Sequence, residues 1–187
     1  LEDDDYRAWI RSDLVKSSRL LTERLGAAPR FLAIPYGEYN PILLEEARDL
    51  GYEAIFSQDP GSVSKDTNRF CIPREAILGE DWSTLQHFKS VLKRVDLPFA
   101  RMHPPPGLLV KTPKRFSARL LYPERYVPGT LGFYVSGMGW QKGTLEGDVL
   151  SIPNDQALSR RRSRVAVSGR EKKSGKTAIR YWLLLKK

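Results

Sequence analysis

The sequence contains few of the residues that bind metal ions or form disulfide bonds. Its 187 residues include one cysteine, Cys71, and two histidines, His87 and His103. A lone cysteine excludes a disulfide bond within the chain, and its apolar neighbours predict a buried thiol. The histidines are sixteen positions apart, and neither has a second ligand at the spacing of a helical metal site. The residues by themselves therefore predict no metal site.

Long hydrophobic runs are absent as well. No stretch of eighteen consecutive apolar residues occurs in the sequence, and this excludes a membrane-spanning helix within it.

Acidic residues are scarce in the second half of the chain. Residues 1–95 carry 16 acidic and 13 basic side chains, whereas residues 96–187 carry 6 acidic and 18 basic ones. The same point separates helical hydrophobic patterns from a region rich in Gly, Pro and alternating residues. Such a shift marks a domain boundary. We predict one domain over residues 1–96 and a basic domain over residues 97–187.

The first domain has the alternating helices and strands of an α/β fold. Apolar residues recur with a helical period in three stretches, which are residues 6–25, 42–50 and 82–94. Short apolar runs typical of covered parallel strands lie between them, at residues 31–34, 54–57 and 71–72. This order predicts part of a (β/α) barrel.

The second domain has the short, turn-separated strands of an all-β fold. Six strands are predicted, at residues 108–110, 116–121, 130–135, 148–152, 164–167 and 178–185. Residues 168–176 are predicted to form the loop of a terminal hairpin. Six or seven strands in this length predict an antiparallel β-sandwich.

The run Ile34-Pro35-Tyr36-Gly37-Glu38-Tyr39-Asn40 stands between the first strand and the second helix. Pro-Tyr-Gly predicts a rigid turn at the strand end. Asn40 and Pro41 are typical of a helix N-cap and first helical position. A turn held in this way can present backbone N–H groups to a developing oxyanion, although an ordinary strand-to-helix turn has the same spacing.

Several motifs in order give the first domain a family resemblance. The Pro-Tyr-Gly turn is followed by a helix ending in Gly51-Tyr52, then by Ile72-Pro73-Arg74 before a last helix. This succession resembles the second half of the NodB-homology domain of polysaccharide deacetylases (carbohydrate esterase family four). It is most similar to the branch that deacetylates poly-N-acetylglucosamine. The fold is then expected to be the C-terminal part of a deformed (β/α) barrel followed by a β-sandwich.

The resemblance implies metal-dependent hydrolysis of N-acetyl groups on N-acetylglucosamine polymers. It assigns the oxyanion donor to the backbone N–H of Tyr36, with Pro35 and Gly37 shaping the turn against the substrate. In such enzymes one residue of an Asp-Asp pair is the catalytic base, and a His-x-x-x-His pair completes an Asp-His-His site for Zn²⁺ or a similar ion. This chain has neither motif, because Asp3-Asp4-Asp5 follows no apolar strand and leads into a helix, so we interpret it as a charged helix start. We expect the metal in the complete enzyme but not in this part, which would be inactive without the missing N-terminal half of its domain.

One position departs from the family pattern. Many members have an arginine three residues before the motif tyrosine, and Ala33 stands there in this chain. We hypothesise that Arg74 supplies the guanidinium instead, with a surface ion pair as the alternative. Leu85-Gln86-His87 has the letters of a later family motif, but it falls within a predicted helix.

The implied partners and location follow from the same resemblance. The substrate would be a secreted or cell-envelope polysaccharide, and the protein would act in the periplasm or outside the cell. The basic domain could then hold an anionic envelope surface by an attraction that weakens with salt, and no nucleic acid is expected as a partner.

A binding module is the alternative to an enzyme. In that interpretation the basic domain binds anionic glycans or other polyanions, and the α/β part is a scaffold. Arg160, Arg161, Arg162 and Arg164 offer a basic patch, unless they only flank a strand. Phe133, Tyr134 and Trp140 offer a sugar-stacking platform, unless they pack in the core or pair across strands.

Overall fold

A computed structural model of the chain describes residues 2–79 and 83–186. The α/β part contains helices α1 (Asp3–Leu25), α2 (Pro41–Asp49) and α3 (Leu85–Leu92), and strands β1 (Phe31–Ala33) and β2 (Ala54–Phe56). All three helices match the predicted stretches, with α3 shorter than expected. Trp82, the first residue of the third predicted helical stretch, lies outside the described residues.

The helices α1 and α2 pack together over the two-stranded sheet. Strands β1 and β2 are parallel, and the buried side chains between helices and sheet include Ile10, Leu14, Ala47 and Ile55. Glu46 on α2 is almost fully buried, and it accepts hydrogen bonds from Arg7 and Arg11 of α1 at 2.7 and 2.8 Å. Apolar packing and a paired buried carboxylate thus hold the helices together.

The parallel sheet remains open. The third predicted strand, at Cys71 and Ile72, contributes only one parallel bridge, between Phe56 and Ile72. The described residues close no barrel, so the interpretation as part of a barrel stays a prediction. None of the described helices is long and apolar enough to cross a membrane.

The second part consists of two facing sheets. The strands are β3 (Phe99–His103), β4 (Gly107–Leu109), β5 (Arg115–Leu120), β6 (Gly132–Val135), β7 (Gly139–Lys142), β8 (Thr144–Glu146), β9 (Val149–Pro153), β10 (Arg162–Arg170) and β11 (Thr177–Lys186). One sheet has the order β4-β11-β10-β6-β7, and the other has the order β3-β5-β9-β8.

Both sheets contribute to one core. Alternating residues of each sheet are fully buried in it, among them Phe116, Phe133, Leu150, Val165 and Trp182. This arrangement is sandwich-like. The prediction of a purely antiparallel sandwich is wrong at one edge, because β4 runs parallel to β11. The chain reaches β4 by way of β3 in the opposite sheet, so no hairpin constrains the direction of β4.

The segment between β2 and β3 joins the two parts. Asp96 accepts hydrogen bonds from Ser64 and Thr67 at 2.8 and 3.2 Å, while Val95 forms a bridge with Ala178 of β11. Arg180 of β11 donates to the carbonyl of Cys71 at 2.8 Å. These contacts hold β11 of the five-stranded sheet against the segment that follows β2. The predicted domain boundary at residue 96 stays a prediction.

Candidate functional site

The Pro35–Gly37 turn follows β1 directly, as the sequence predicted. Ile34 is buried, and its carbonyl accepts a hydrogen bond from the N–H of Gly37 at 3.2 Å. Tyr36 adopts a φ of 58°, in the left-handed region, and its side chain is 79% exposed. A tyrosine in this conformation is uncommon and strained. The turn therefore exposes its central residue at a cost that its surroundings must offset.

Gly37 fits where a larger residue does not. Its φ is 67°, and a Cβ atom at this position would lie 2.5 Å from the Cβ of Gln58. Gln58 belongs to the loop that follows β2, so the two loops approach with no room for a side chain between them. Glycine is required here for both reasons.

The next helix holds the other side of the turn. The side-chain oxygen of Asn40 accepts a hydrogen bond from the N–H of Leu43 at 2.9 Å, and Pro41 is the first residue of α2. This is the N-cap that the sequence predicted. The turn is thus fixed between a strand and a capped helix.

An arginine from the second part of the chain also holds the turn. Arg162 of β10 donates to the carbonyl of Tyr36 at 2.7 Å and pairs with Glu38 at 3.0 Å. Its guanidinium contacts residues on both sides of Gly37, and this limits the movement of the turn. Sequence reasoning missed this contact, since 126 positions separate the two residues and no local pattern joins them.

A buried acid lies beside the turn. Asp59 follows Gln58, is 3% exposed and accepts a hydrogen bond from the hydroxyl of Tyr39 at 2.5 Å. Burial raises the pKa of the Asp59 carboxyl to about 6, although the Tyr39 hydroxyl and the charges of Arg180 and Arg164 oppose the shift. The sequence signal for it was a polar residue just after an apolar strand.

Two neighbours of Asp59 are kept neutral by the same burial. Burial raises the pKa of the Tyr39 hydroxyl, and the nearby Asp59 charge raises it further. Burial likewise raises the pKa of the Cys71 thiol, which donates to the Tyr39 hydroxyl at 3.3 Å. The sequence predicted Cys71 to be buried in an apolar strand, but the residue is only partly buried and its sulfur lies in this small polar cluster.

A cleft of about 430 Å³ opens above the turn. The α/β part supplies Tyr36, Gly37, Gln58 and Asp59 to its lining, and three arginines come from β10 and the residues before it, namely Arg160, Arg162 and Arg164. The basic patch that the sequence indicated therefore borders the Pro-Tyr-Gly turn.

Arg74 and Pro35 are both exposed, and neither belongs to the described lining of this cleft. The side chain of Arg74 donates to the carbonyl of Ser57 at 3.1 Å, and its backbone N–H donates to the carbonyl of Asp59 at 3.0 Å. These bonds anchor the exposed arginine to the loop after β2. Its proposed partnership with a catalytic carboxylate stays a prediction.

His87 and His103 are not brought together. His87 lies on α3 and lines a second cleft, whereas His103 is exposed at the end of β3. In residues 2–79 and 83–186, no three or more His, Cys, Asp or Glu side chains form a group that could hold a metal ion. The described residues thus do not fit the Zn²⁺ that the resemblance implies.

Only two of the three aromatic residues of the predicted sugar-stacking platform are exposed. Phe133 is fully buried in the core, so it cannot contact a sugar. Tyr134 and Trp140 pair across β6 and β7 with exposed fractions of 39% and 51%. The alternation of a half-buried strand places Phe133 on one face and Tyr134 on the other.

Comparisons with known proteins point to one family for the N-terminal part. Residues 3–55 match the family model described as polysaccharide deacetylase. Over 73 residues the chain is 39% identical to the poly-beta-1,6-N-acetyl-D-glucosamine N-deacetylases of Escherichia coli strain K12 and of Escherichia coli O157:H7. The predicted resemblance to polysaccharide deacetylases, in the poly-N-acetylglucosamine branch, is confirmed for this stretch.

The extent of these similarities is limited. The aligned segment is 39% of this chain and spans 11% of the length of the Escherichia coli proteins. Among solved structures, an endo-beta-1,4-mannanase from Thermotoga petrophila aligns with all of this chain and 44% of its own, at 13% identity and a TM-score of 0.39. At that score the structural similarity supports no conclusion.

Proposed function

We propose that this chain is part of a polysaccharide N-deacetylase that hydrolyses N-acetyl groups on N-acetylglucosamine polymers. The match of residues 3–55 to the deacetylase family supports the reaction class. The similarity to enzymes named for poly-beta-1,6-N-acetyl-D-glucosamine supports the substrate class. Such a polymer lies in the cell envelope or outside the cell, so we also propose a periplasmic or extracellular location.

The observation that carries the proposal is the Pro35–Gly37 turn. It places the strained Tyr36 at the mouth of a cleft large enough for a sugar unit. In the proposal, the backbone N–H of Tyr36 donates to the oxyanion that forms as the amide carbonyl is attacked. Pro35 and Gly37 hold that N–H in place, and Arg162 restrains the carbonyl of the same residue.

The metal ion of the proposed enzyme would be bound by residues outside this chain. Because the described residues contain no group suited to a metal ion, no step assigned to this chain passes through one. We propose that residues outside this chain supply the metal ligands and the catalytic base. The chain itself then binds and orients the substrate and is inactive alone.

Arg74 is proposed as the guanidinium that the family usually places at the position of Ala33. Its two hydrogen bonds to the loop after β2 hold it beside Asp59. In an active protein that contains this chain, Arg74→Met is expected to lower kcat with little change in KM, because the role is to position the base. Full retention of kcat/KM would show that Arg74 does not position the base.

The test of the proposed function compares two proteins. Acetate release from N-acetylglucosamine oligomers is measured with Zn²⁺, for this chain and for the protein extended upstream along its reading frame. Activity in the extended protein alone, lost on addition of a chelator, is the expected result. An extended protein that releases no acetate would contradict the deacetylase proposal.

A further inference from the structure

One face of the five-stranded sheet carries a row of aromatic side chains. Trp140 of β7 is the register partner of Tyr134 of β6, and Tyr134 in turn is opposite Ala166 of β10. Tyr181 of β11 completes the row as the register partner of Ala166. Because register partners project from the same face of a sheet, the three aromatic side chains lie on one surface.

This face is turned away from the core of the β part. Phe133, the chain neighbour of Tyr134, is fully buried in that core. Trp182, the chain neighbour of Tyr181, is buried there as well. Since side chains alternate between the two faces of a strand, the row lies on the outer face, where Trp140 is 51% exposed and Tyr134 is 39% exposed.

The indole of Trp140 lies in a space that a glycine provides. A Cβ atom added at Gly132 would lie 2.6 Å from Cζ2 and 2.8 Å from Cε2 of the indole ring. Nε1 of the same ring donates to the hydroxyl oxygen of Ser168 at 3.2 Å, and Ser168 on β10 is the register partner of Gly132. The ring therefore reaches from β7 across β6 to β10 and lies along the sheet, with its exposed half facing outward.

We propose that the Trp140 indole and the Tyr134 ring form a stacking subsite for an N-acetylglucosamine polymer, beyond the sugar unit held at the Pro35–Gly37 turn. The identity of the sugar rests on the proposed function, and the subsite adds a second location to it. The C–H groups on one face of a pyranose ring are apolar, so their burial against an aromatic ring is favourable in water.

The subsite is continuous with the cleft at the turn. A second cleft, of about 370 Å³, is lined by Tyr134 and Tyr181 and shares Ser136 with the first cleft. Ser136 and Tyr134 are two positions apart, which is about 7 Å along an extended chain, and the neighbouring strand with Trp140 lies about 4.8 Å to the side. A polymer that occupies the first cleft at Tyr36 and follows the second cleft therefore arrives at Trp140.

The size of the exposed aromatic surface favours a sugar over a protein partner. An aromatic side chain has about 150–250 Å² of surface, and Trp140 and Tyr134 each expose about half of theirs or less. A stable protein interface buries about 800 Å² on each partner, which is several times more. One or two stacked sugar rings match the smaller area.

The experiment measures binding of N-acetylglucosamine oligomers to this 187-residue chain by titration calorimetry. The dimer and the hexamer, in the linkage of the proposed substrate, are the two probes. The hexamer is expected to bind at least about tenfold more tightly than the dimer, because only the longer oligomer spans both the first cleft and the stacking subsite.

Substitutions of Trp140 locate the subsite. Trp140→Ala and Trp140→Leu should each weaken the hexamer at least about tenfold, because neither side chain offers an aromatic ring. The matched control is Trp9→Ala, which should leave the affinity unchanged, since Trp9 on α1 is 57% exposed and lines neither cleft. Thermal unfolding checks the fold of each variant. Tyr134→Ala leaves the contacts of the indole in place and should give a smaller loss, as an independent measurement.

The emission of Trp140 gives a readout that a purely structural role of the indole would not affect. A sugar stacked on the ring changes its surroundings, so the hexamer should change the tryptophan emission of the unsubstituted chain. Trp140→Phe should abolish most of that change, whereas Trp9→Phe should preserve it.

Three results would overturn the proposal. The first is a hexamer that binds no more tightly than the dimer or does not bind. The second is an unchanged hexamer affinity in Trp140→Ala, or an equal loss in Trp9→Ala. The third is a change of oligomeric state in Trp140→Ala without a change in hexamer affinity, which would assign the surface to a second copy of the chain.

The proposed function fails by a different result. An extended protein that releases no acetate contradicts the deacetylase proposal even where hexamer binding depends on Trp140. Conversely, acetate release by the extended protein together with an unchanged hexamer affinity in Trp140→Ala removes the stacking subsite alone.

Discussion

The two parts of this molecule enclose their apolar residues to different degrees. In the β part, two sheets face each other and bury large side chains such as Trp182 and Phe116 completely. In the α/β part, two helices cover a two-stranded sheet, and Phe31 and Leu25 remain 55% and 74% exposed. A pair of sheets forms a complete core by itself, whereas a short parallel sheet needs cover on both faces.

The two parts therefore have different roles. The β part encloses its own core, and its long strands β10 and β11 carry the arginines that contact the other half. The α/β part supplies the strained turn and depends on its partner for restraint. The following substitutions test this comparison.

The largest expected effect is on the core of the β part. Trp182 is fully buried, contacts the rings of Phe99 and Phe133, and donates to the carbonyl of Pro104 at 3.1 Å. Trp182→Ala should lower the free energy of unfolding by about 4 kcal/mol. Urea denaturation gives the value. Trp140→Ala, which removes a half-exposed indole from the same part, serves as the control and should cost far less.

A somewhat smaller effect is expected from the buried acid of the α/β part. The Asp59 pKa is raised from 3.8 to about 6 in the folded state, so the native protein holds the proton that the unfolded chain releases. The contribution of Asp59 to stability is then greatest below about pH 4 and falls as the pH rises through 6. The loss amounts to about 3 kcal/mol.

Asp59→Asn should abolish that decline, because an amide does not titrate. Urea denaturation over this pH range measures the slope for both proteins. The matched control, Asp155→Asn, removes an exposed carboxyl group from the β part and should leave the slope in place. An unchanged slope in Asp59→Asn would show that the acid is not the source.

The smallest expected effect concerns the contact between the parts. Arg162→Met removes the hydrogen bond to the Tyr36 carbonyl and the pair with Glu38. The guanidinium is partly exposed, so the cost in stability is about 1 kcal/mol. Hydrogen exchange should rise at the Pro-Tyr-Gly turn and stay constant in the core of the β part. Equal hydrogen exchange at the turn in Arg162→Met and in the unsubstituted protein would mean that Arg162 does not restrain the turn.

Sequence reasoning found the elements that have strong local signals. The amphipathic helices, the Asn40 cap and strand β11 were predicted, because periodicity and capping act over a few residues. Strand β10 was predicted only over residues 164–167, and residues 168–170, predicted as part of the hairpin loop, belong to the strand. Strands β3, β7 and β8 were missed. They are short, and β7 begins with a glycine while β8 is exposed throughout, so neither shows an alternating apolar pattern.

Sequence reasoning predicted only those parts of the site that depend on residues close together in the chain. The Pro35–Gly37 turn follows from its own residues, and the arginine patch was recognised as basic. Their meeting at one cleft was not predicted, because it depends on how β10 packs against a loop more than a hundred positions away. The raised pKa of Asp59 depends likewise on burial by distant residues.

In the proposed enzyme, the Pro35–Gly37 turn positions an oxyanion donor. The most direct test is Gly37→Ala in the protein extended upstream, with kcat/KM for N-acetylglucosamine oligomers as the readout. Gly147→Ala is the matched control, since Gly147 has a φ of 61° but nothing within 4 Å of an added Cβ. We expect Gly37→Ala to lower kcat/KM by about 10²-fold or more while the control stays near the unsubstituted protein. Equal activity in the two variants would mean that the turn positions no oxyanion donor.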